Sequence, residues 1–350
     1  MASVSGSATD AILKIGSTFG TATTGTTGDK LAFASLTHSL NETVLQADQL
    51  GAGIVMTKDA TKGNTSPTAE IDMYVGPRNL ADLICFAFMQ TAPAPAEETA
   101  SQGDYRHRLT YTHTISYWLT LAFDSDASNV VEYPSCTVRR LTLSVDTVPG
   151  YVKLVAELLG NKRVITSTTN DTSELLAATV PTDTELFAVG FDDDFQVNAQ
   201  SGGALSTSDQ VNITSYTLTL ERPQEFVGEI KNATGNSEAI STGFLRGTLT
   251  VTLKEKADNT WYTANDAETA YKCKLIVEGS PIASGGNRAL RVFIPRMKLI
   301  QSPEYNITDP GINPMTLTFE LFAAESAPTG MDSVYPYFEF VNTRTTGLSS

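Results

Sequence analysis

Three histidines, three cysteines and two short acidic runs are where the spacing of side chains most suggests chemistry. His38 sits in Leu36-Thr37-His38-Ser39-Leu40, and period-two alternation puts it on the face of Leu36 and Leu40. That setting favours a satisfied core or interface histidine over a catalytic one. His107 and His113 lie near each other in sequence, but Arg106 and Arg108 flank the first, and cationic neighbours repel a bound metal ion. Asp192-Asp193-Asp194 resembles a cation site. In an extended segment, however, consecutive carboxylates point to alternating faces and do not converge on one ion, so an exposed acidic loop is expected. Asp124-Ser125-Asp126-Ala127-Ser128 begins like a calcium loop but has Asn129 at the sixth position and Ser135 at the twelfth. Nucleophile elbows, phosphate-binding glycine loops and zinc-binding histidine helices are absent, and Gly202-Gly203 and Gly285-Gly286 read as turns. Cys85, Cys136 and Cys273 are odd in number and widely spaced, which predicts buried reduced thiols in a chain that folds in a cytoplasm. No catalytic, cofactor-binding or metal-binding residue is therefore predicted, and no cofactor. The enzymatic alternative is a β-rich hydrolase, whose paired carboxylates need no local motif.

Composition narrows the classes further. The 350 residues have room for two domains, with 41% hydrophobic and only 18% charged residues. Ser and Thr fill the difference, as strands with one solvated face require. The formal net charge is -15. Nucleic-acid-binding surfaces need clustered Lys and Arg, so this balance argues against one. It fits either simple solubility or a surface that DNA passes without sticking. The N-terminus has no basic and apolar signal-peptide pattern. The longest apolar run, Ile84 to Met89, is far short of the roughly 20 residues of a membrane helix.

The elements read as mainly β. Residues 1–28 are rich in Gly, Ser and Thr and predict a flexible arm. Strand signals begin at Leu31, and a polar loop or hairpin spans Gly51 to Pro67. A half-buried strand holds Ile71, Met73 and Val75. A helix follows, with Gly76 as a cap, Pro77 in its first turn and Leu80, Leu83, Ile84 and Ala87 on one face. Leu141, Leu143 and Val145 alternate into a turn at Val148-Pro149-Gly150, and Val152, Leu154, Ala156 and Leu158 alternate back. After a Thr/Asn/Asp-rich link the theme returns: strands near 187–197, 213–220 and 245–253, a short helix near 264–271, and strands near 274–277, 290–300 and 315–322. The aromatic segment Tyr335 to Phe340 is expected to dock, at home or on a neighbour.

Four segments recur in order. Ser35 to Leu40 matches Ser215 to Leu220, and Glu70 to Met73 matches Thr250 to Leu253. Arg140 to Leu143 matches Arg296 to Leu299, and Leu154 to Leu159 matches Leu317 to Phe322. Each match alone is ordinary alternation; their common order suggests two copies of one β unit.

The segment Pro134 to Val145 with Tyr151 to Gly160 resembles the tail tube proteins of long-tailed bacteriophages. So do the opening order (Gly/Thr arm, Leu36–Leu40, polar hairpin, strand, helix at Pro77) and Phe191 to Phe195 before Ser215 to Leu220. The resemblance covers roughly residues 10–325. It implies two tandem tail-tube-type β-sandwich domains, each with a flanking helix, that lend strands to an inter-subunit β-barrel. The expected organisation is an arm over 1–28, a first tube domain over 29–165, a linker over 166–182 and a second tube domain over 183–350 with a C-terminal docking segment. The implied function is a structural tail tube subunit: stacked rings, a hollow conduit for DNA ejection, and a place in the virion tail after assembly in the host cytoplasm. Partners would be further copies of the chain, as a pseudo-sixfold trimer or else a hexamer, and the terminator, tape measure and baseplate proteins. DNA would pass without specific binding, past an acidic lumen, and no membrane is involved. The alternatives are another virion or secretion-apparatus ring component, such as a tail terminator or baseplate ring, and a β-sandwich binding module or hydrolase.

Overall fold

A computed structural model describes residues 9–47, 59–126, 129–183, 185–190, 193–226, 236–256, 258–282, 286–305 and 313–348. The molecule is mainly β, with one large antiparallel sheet system. We number its longer strands, and one two-residue strand, in chain order. They are β1 (Ala11–Gly16), β2 (Ser35–Ala47), β3 (Asp59–Tyr74), β4 (Tyr105–Tyr111), β5 (Trp118–Asp126), β6 (Asn129–Val145) and β7 (Lys153–Gly160). The second half supplies β8 (Asp194–Ala199), β9 (Ile213–Glu221), β10 (Arg246–Leu253), β11 (Tyr271–Ile282), β12 (Gly286–Leu299), β13 (Glu304–Tyr305), β14 (Met315–Leu321) and β15 (Tyr337–Asn342). The helices are α1 (Ala81–Met89), α2 (Thr172–Ala177) and α3 (Thr260–Asp266).

The alternating turn-and-return at Val148–Gly150 forms as the pattern predicts: β6 and β7 pair with Leu143 opposite Leu154 and Leu141 opposite Ala156. Their apolar side chains point to one side and are buried, while Thr142, Ser144 and Val155 on the other side are half-exposed. All nine residues of α1 are buried, because the helix packs against β4, β5, β6 and β15 at once. It begins later than the Pro77 signal implies. Asn79 takes the Gly76 N–H on its side-chain oxygen, 2.9 Å, and folds residues 76–79 into a turn instead of a helical one.

Residues 11–28, expected in an arm, are built into the molecule. Ala11, Ile12, Leu13 and Ile15 are buried, and β1 pairs along β5 from Ala11–Phe123 to Gly16–Trp118. The Thr/Gly tract behind it is pinned by buried Asn170, whose side-chain oxygen accepts the Gly25 N–H at 2.7 Å. Asn170 is held in turn by Glu132, 2.7 Å away and buried. The segment 166–182, expected as a linker, contains α2, closed by a capping box between Asp171 and Glu174. Leu175 of α2 packs with Ile12, Ala122 and Val130. The short helix α3 starts four residues before the expected position. The aromatic C-terminal segment docks within the chain: β15 pairs β12 on one side and β4 on the other. One core cluster contains residues of both halves, from Leu13 and Met73 to Leu218 and Leu317. Of the polar loop or hairpin expected over Gly51 to Pro67, residues 51–58 lie outside the described residues, while 59–67 belong to β3.

Candidate assembly interface

The residues singled out for chemistry are each absorbed by local structure. His107 is buried, and its Nε2 lies 3.0 Å from the Arg344 carbonyl; burial lowers its pKa. His113 pairs with the Tyr111 hydroxyl at 2.9 Å, away from His107. Asp192 is outside the described residues. Asp193 accepts the Gly190 and Glu278 N–H groups, while Asp194 accepts from the Gln196 and Gln210 side chains, so the two carboxylates diverge. Asp124 accepts the Asp10 N–H at 3.3 Å, and burial raises its pKa. The three cysteines are free and buried, and burial pushes each thiol well above its ordinary range. Among the described residues no group of three or more His, Cys, Asp or Glu is placed to hold a metal ion.

What the fold does assemble is a sheet of eight strands in the order β2-β3-β7-β6-β9-β10-β14-β12. Its first four strands come from the first half of the chain, its last four from the second, and the order within each four is the same. The flanking strands repeat as well. β1 pairs β5, which pairs the N-terminal part of β6; β8 pairs β11, which pairs the N-terminal part of β12. Even an irregularity recurs. The β5–β6 register slips between Leu119 and Leu121, opposite Cys136 and Tyr133. The β11–β12 register slips between Tyr271 and Cys273, opposite Met297 and Ile294. The helix α1 lies against β6, and α3 lies against β12.

These registers fix which residues correspond. Leu36 faces Ile71, as Tyr216 faces Val251, in agreement with the sequence match. Ile71 faces Ala156, whereas Val251 faces Leu317, so Ala156 corresponds to Leu317 and Leu154 to Met315. The sequence match had set Leu154 against Leu317. A slip of two preserves which face each residue takes, so alternation alone does not detect it. The Arg140–Arg296 match is displaced too. Cys136, the last β6 residue beside Leu119, corresponds to Met297, the last β12 residue beside Tyr271.

The two fours meet at the β6–β9 joint. Val145 faces Tyr216, Leu143 faces Leu218, Leu141 faces Leu220 and Arg140 faces Glu221. The Arg222 N–H donates to the Arg139 carbonyl at 2.8 Å and continues the ladder. On the buried face the Leu pairs join the core. On the other face Arg140 donates to Glu221 at 2.9 Å and lies 3.6 Å from Glu157, while Thr142 and Thr219 oxygens are 3.4 Å apart. Arg222 then turns inward and is 1% exposed. Its guanidinium donates to the carbonyls of Phe88, Thr112 and His113 at 2.7 to 3.0 Å, which ties the end of β9 to the C-terminus of α1. Sequence reasoning missed this residue, since Arg222-Pro223 after a strand looks like any exposed turn.

The outer edges of the sheet are of another kind. Among the described residues, β2 pairs only with β3, and Thr37, His38, Ser39 and Asn41 are exposed. Leu36 and Leu40 are half-buried, whereas Tyr216, Leu218 and Leu220 at the corresponding places of β9 are buried. His38 stands where β9 has Leu218. Its ring lies 4.7 Å from that of Phe123, with the Tyr133 hydroxyl 3.4 Å from Nδ1. Burial, then the nearby Arg163, lowers its pKa. His38 is exposed, so it is not the core histidine that its spacing allowed.

None of the curated proteins compared matches the chain. A family model described as phage tail tube protein matches residues 8–321, a span that runs from just before β1 to the end of β14 and takes in both repeats of the pairing pattern. The match covers most of the sequence, and the chain belongs to the phage tail tube protein family.

Proposed function

We propose that three copies of this chain close a ring of six four-stranded blocks, and that such rings stack into a hollow tail tube through which DNA passes. Family membership makes the chain a non-enzymatic structural subunit of the virion tail that assembles with itself and other tail proteins. The observation that carries the finer reading is the β6–β9 joint, in which one four-stranded block is already sealed edge to edge to a second of the same order. A joint of this kind relates neighbouring blocks by a fixed rotation. Repeated between chains, it propagates the curvature until the ring closes and no strand edge is left open. Sixfold closure is what the family resemblance implies; with two tandem domains per chain, three chains satisfy it.

The face opposite the core suits a lumen. It presents Thr142, Thr219, Thr250 and Thr318, short neutral side chains that offer phosphates no fixed cation. Glu70, Asp72, Glu157, Glu221 and Glu320 share it with Arg140, Lys153, Arg246 and Lys298; Arg246 lies opposite Glu221, and Arg140 is engaged by carboxylates on both sides. The lumen we propose is Thr-lined and mildly acidic. The polar Gly51–Pro67 segment is the proposed ring-to-ring contact. Electron microscopy of purified protein tests the reading: long hollow tubes support it, isolated rings that never stack favour a terminator or baseplate ring, and monomers at every concentration contradict it.

A further inference from the structure

The ring reading leaves open which residues meet between chains, and the internal joint supplies a template. Leu143 faces Leu154, which faces Met73 of β3. Tyr305 faces Met315, which faces Leu253 of β10. Met73 and Leu253 correspond, so Tyr305 holds the place of Leu143, and Glu304, opposite Thr316, holds that of Thr142. On β9 the partners of Leu143 and Thr142 are Leu218 and Thr219, which correspond to His38 and Ser39 of β2.

Resting on the ring reading, we propose that the Ser35–Asn41 edge of one chain pairs antiparallel with the Ser302–Tyr305 edge of the next. In this register His38 lies opposite Tyr305, Ser39 opposite Glu304, Leu40 opposite Pro303 and Asn41 opposite Ser302. Among the described residues neither edge has a strand partner where the template needs one, and the Pro303 ring, in the place of Leu141, is buried as Leu141 is. β5 leaves the edge of β6 at Cys136, and β9 takes over from Arg139. β11 leaves β12 at Met297, and among the described residues no strand takes over on that side up to Tyr305. The template also fixes the hydrogen-bonding phase. Arg139 bonds to β9, so by alternation Leu141 and Leu143 do too, and Arg140 and Thr142 face their partners without ladder bonds. Pro303, in the place of Leu141, has no N–H to give, so the joint between chains lacks a donor that the internal joint has. A proline on an open edge also discourages unplanned pairing.

The non-hydrogen-bonded places bring side chains closest, which suits disulfides. Asn41→Cys with Ser302→Cys, and independently Ser39→Cys with Glu304→Cys, should cross-link chain to chain on mild oxidation of assembled protein. Non-reducing electrophoresis should show dimers and closed trimers, with either cysteine alone giving a monomer band. Arg140→Cys with Glu221→Cys is the internal control and should close within one chain. Asn41→Cys with Ile300→Cys, displaced by two residues, should stay uncross-linked. Tubes that form and cross-link only through the displaced pair, or through none, would overturn the register while leaving the ring reading intact. Failure of the unmodified chain to form rings or tubes would overturn both.

Discussion

At the residue scale, buried polar side chains tie distant strands together. Arg222 holds three carbonyls from the first half of the chain while itself belonging to the second. Arg222→Ala leaves the buried Phe88 carbonyl unpaired, removes the donor from the part-buried Thr112 and His113 carbonyls, and opens a cavity, with a cost of about 3 kcal/mol expected. Urea unfolding of the monomer checks this, and a midpoint within error of the parent would contradict it. His38 gives a second prediction, because the proposed seam buries it further beside Tyr133, Phe123 and Arg163. Its pKa is lowered, so the structured chain binds fewer protons there than the unfolded one, and a penalty develops as pH falls below the ordinary histidine value of about 6.5. Assembly followed by light scattering should therefore weaken between about pH 7 and pH 5. His38→Leu, the residue found at the matching place of β9, should remove that dependence. An unchanged pH profile in this variant would rule out His38 as its source.

At the element scale, alternation made most strands legible, because one buried face leaves a period-two signature wherever the strand is long. It placed the C-terminal part of β6 and β7 with their inward sides, and the spans of β9, β10 and β14. It did not place their registers: a two-residue slip keeps every inward residue inward, and only the hydrogen-bonded partner reveals it. β1 was hidden for a different reason. Ala11-Ile12-Leu13-Lys14-Ile15 is apolar enough, but the Thr/Gly tract that follows dominates the local composition. What orders that tract is buried Asn170, about 145 residues away in sequence. Deletion of residues 2–28 should therefore strip a core strand and leave an unfolded or aggregated chain, as circular dichroism would report. Deletion of residues 2–8 alone, which keeps β1, should leave a folded subunit. If the longer deletion folds normally, β1 is not the integral strand described here. β15 is testable in the same way. Phe338 is fully buried where β15 joins the two halves, and Phe338→Ala should cost about 3 to 5 kcal/mol in thermal or urea unfolding.

For the whole molecule, the repeated strand order is the main organising feature. A pairing scheme that occurs twice in one chain is what the proposed ring, with each chain as one arc of it, calls for. The repeat was visible in the sequence as four weak matches. The joint between the repeats was not, because no local pattern marks which edges of two similar sheets will meet. The sequence did show the Thr-rich strand faces, and the sheet collects them on the side away from the core. The most direct test of the central claim is the number of chains per ring, from native mass spectrometry of rings or a cross-section of the tube by electron cryomicroscopy. Three chains and six similar blocks around one continuous barrel are expected. Six chains in a ring, or a barrel in which β6 and β9 of one chain are not neighbours, would contradict it.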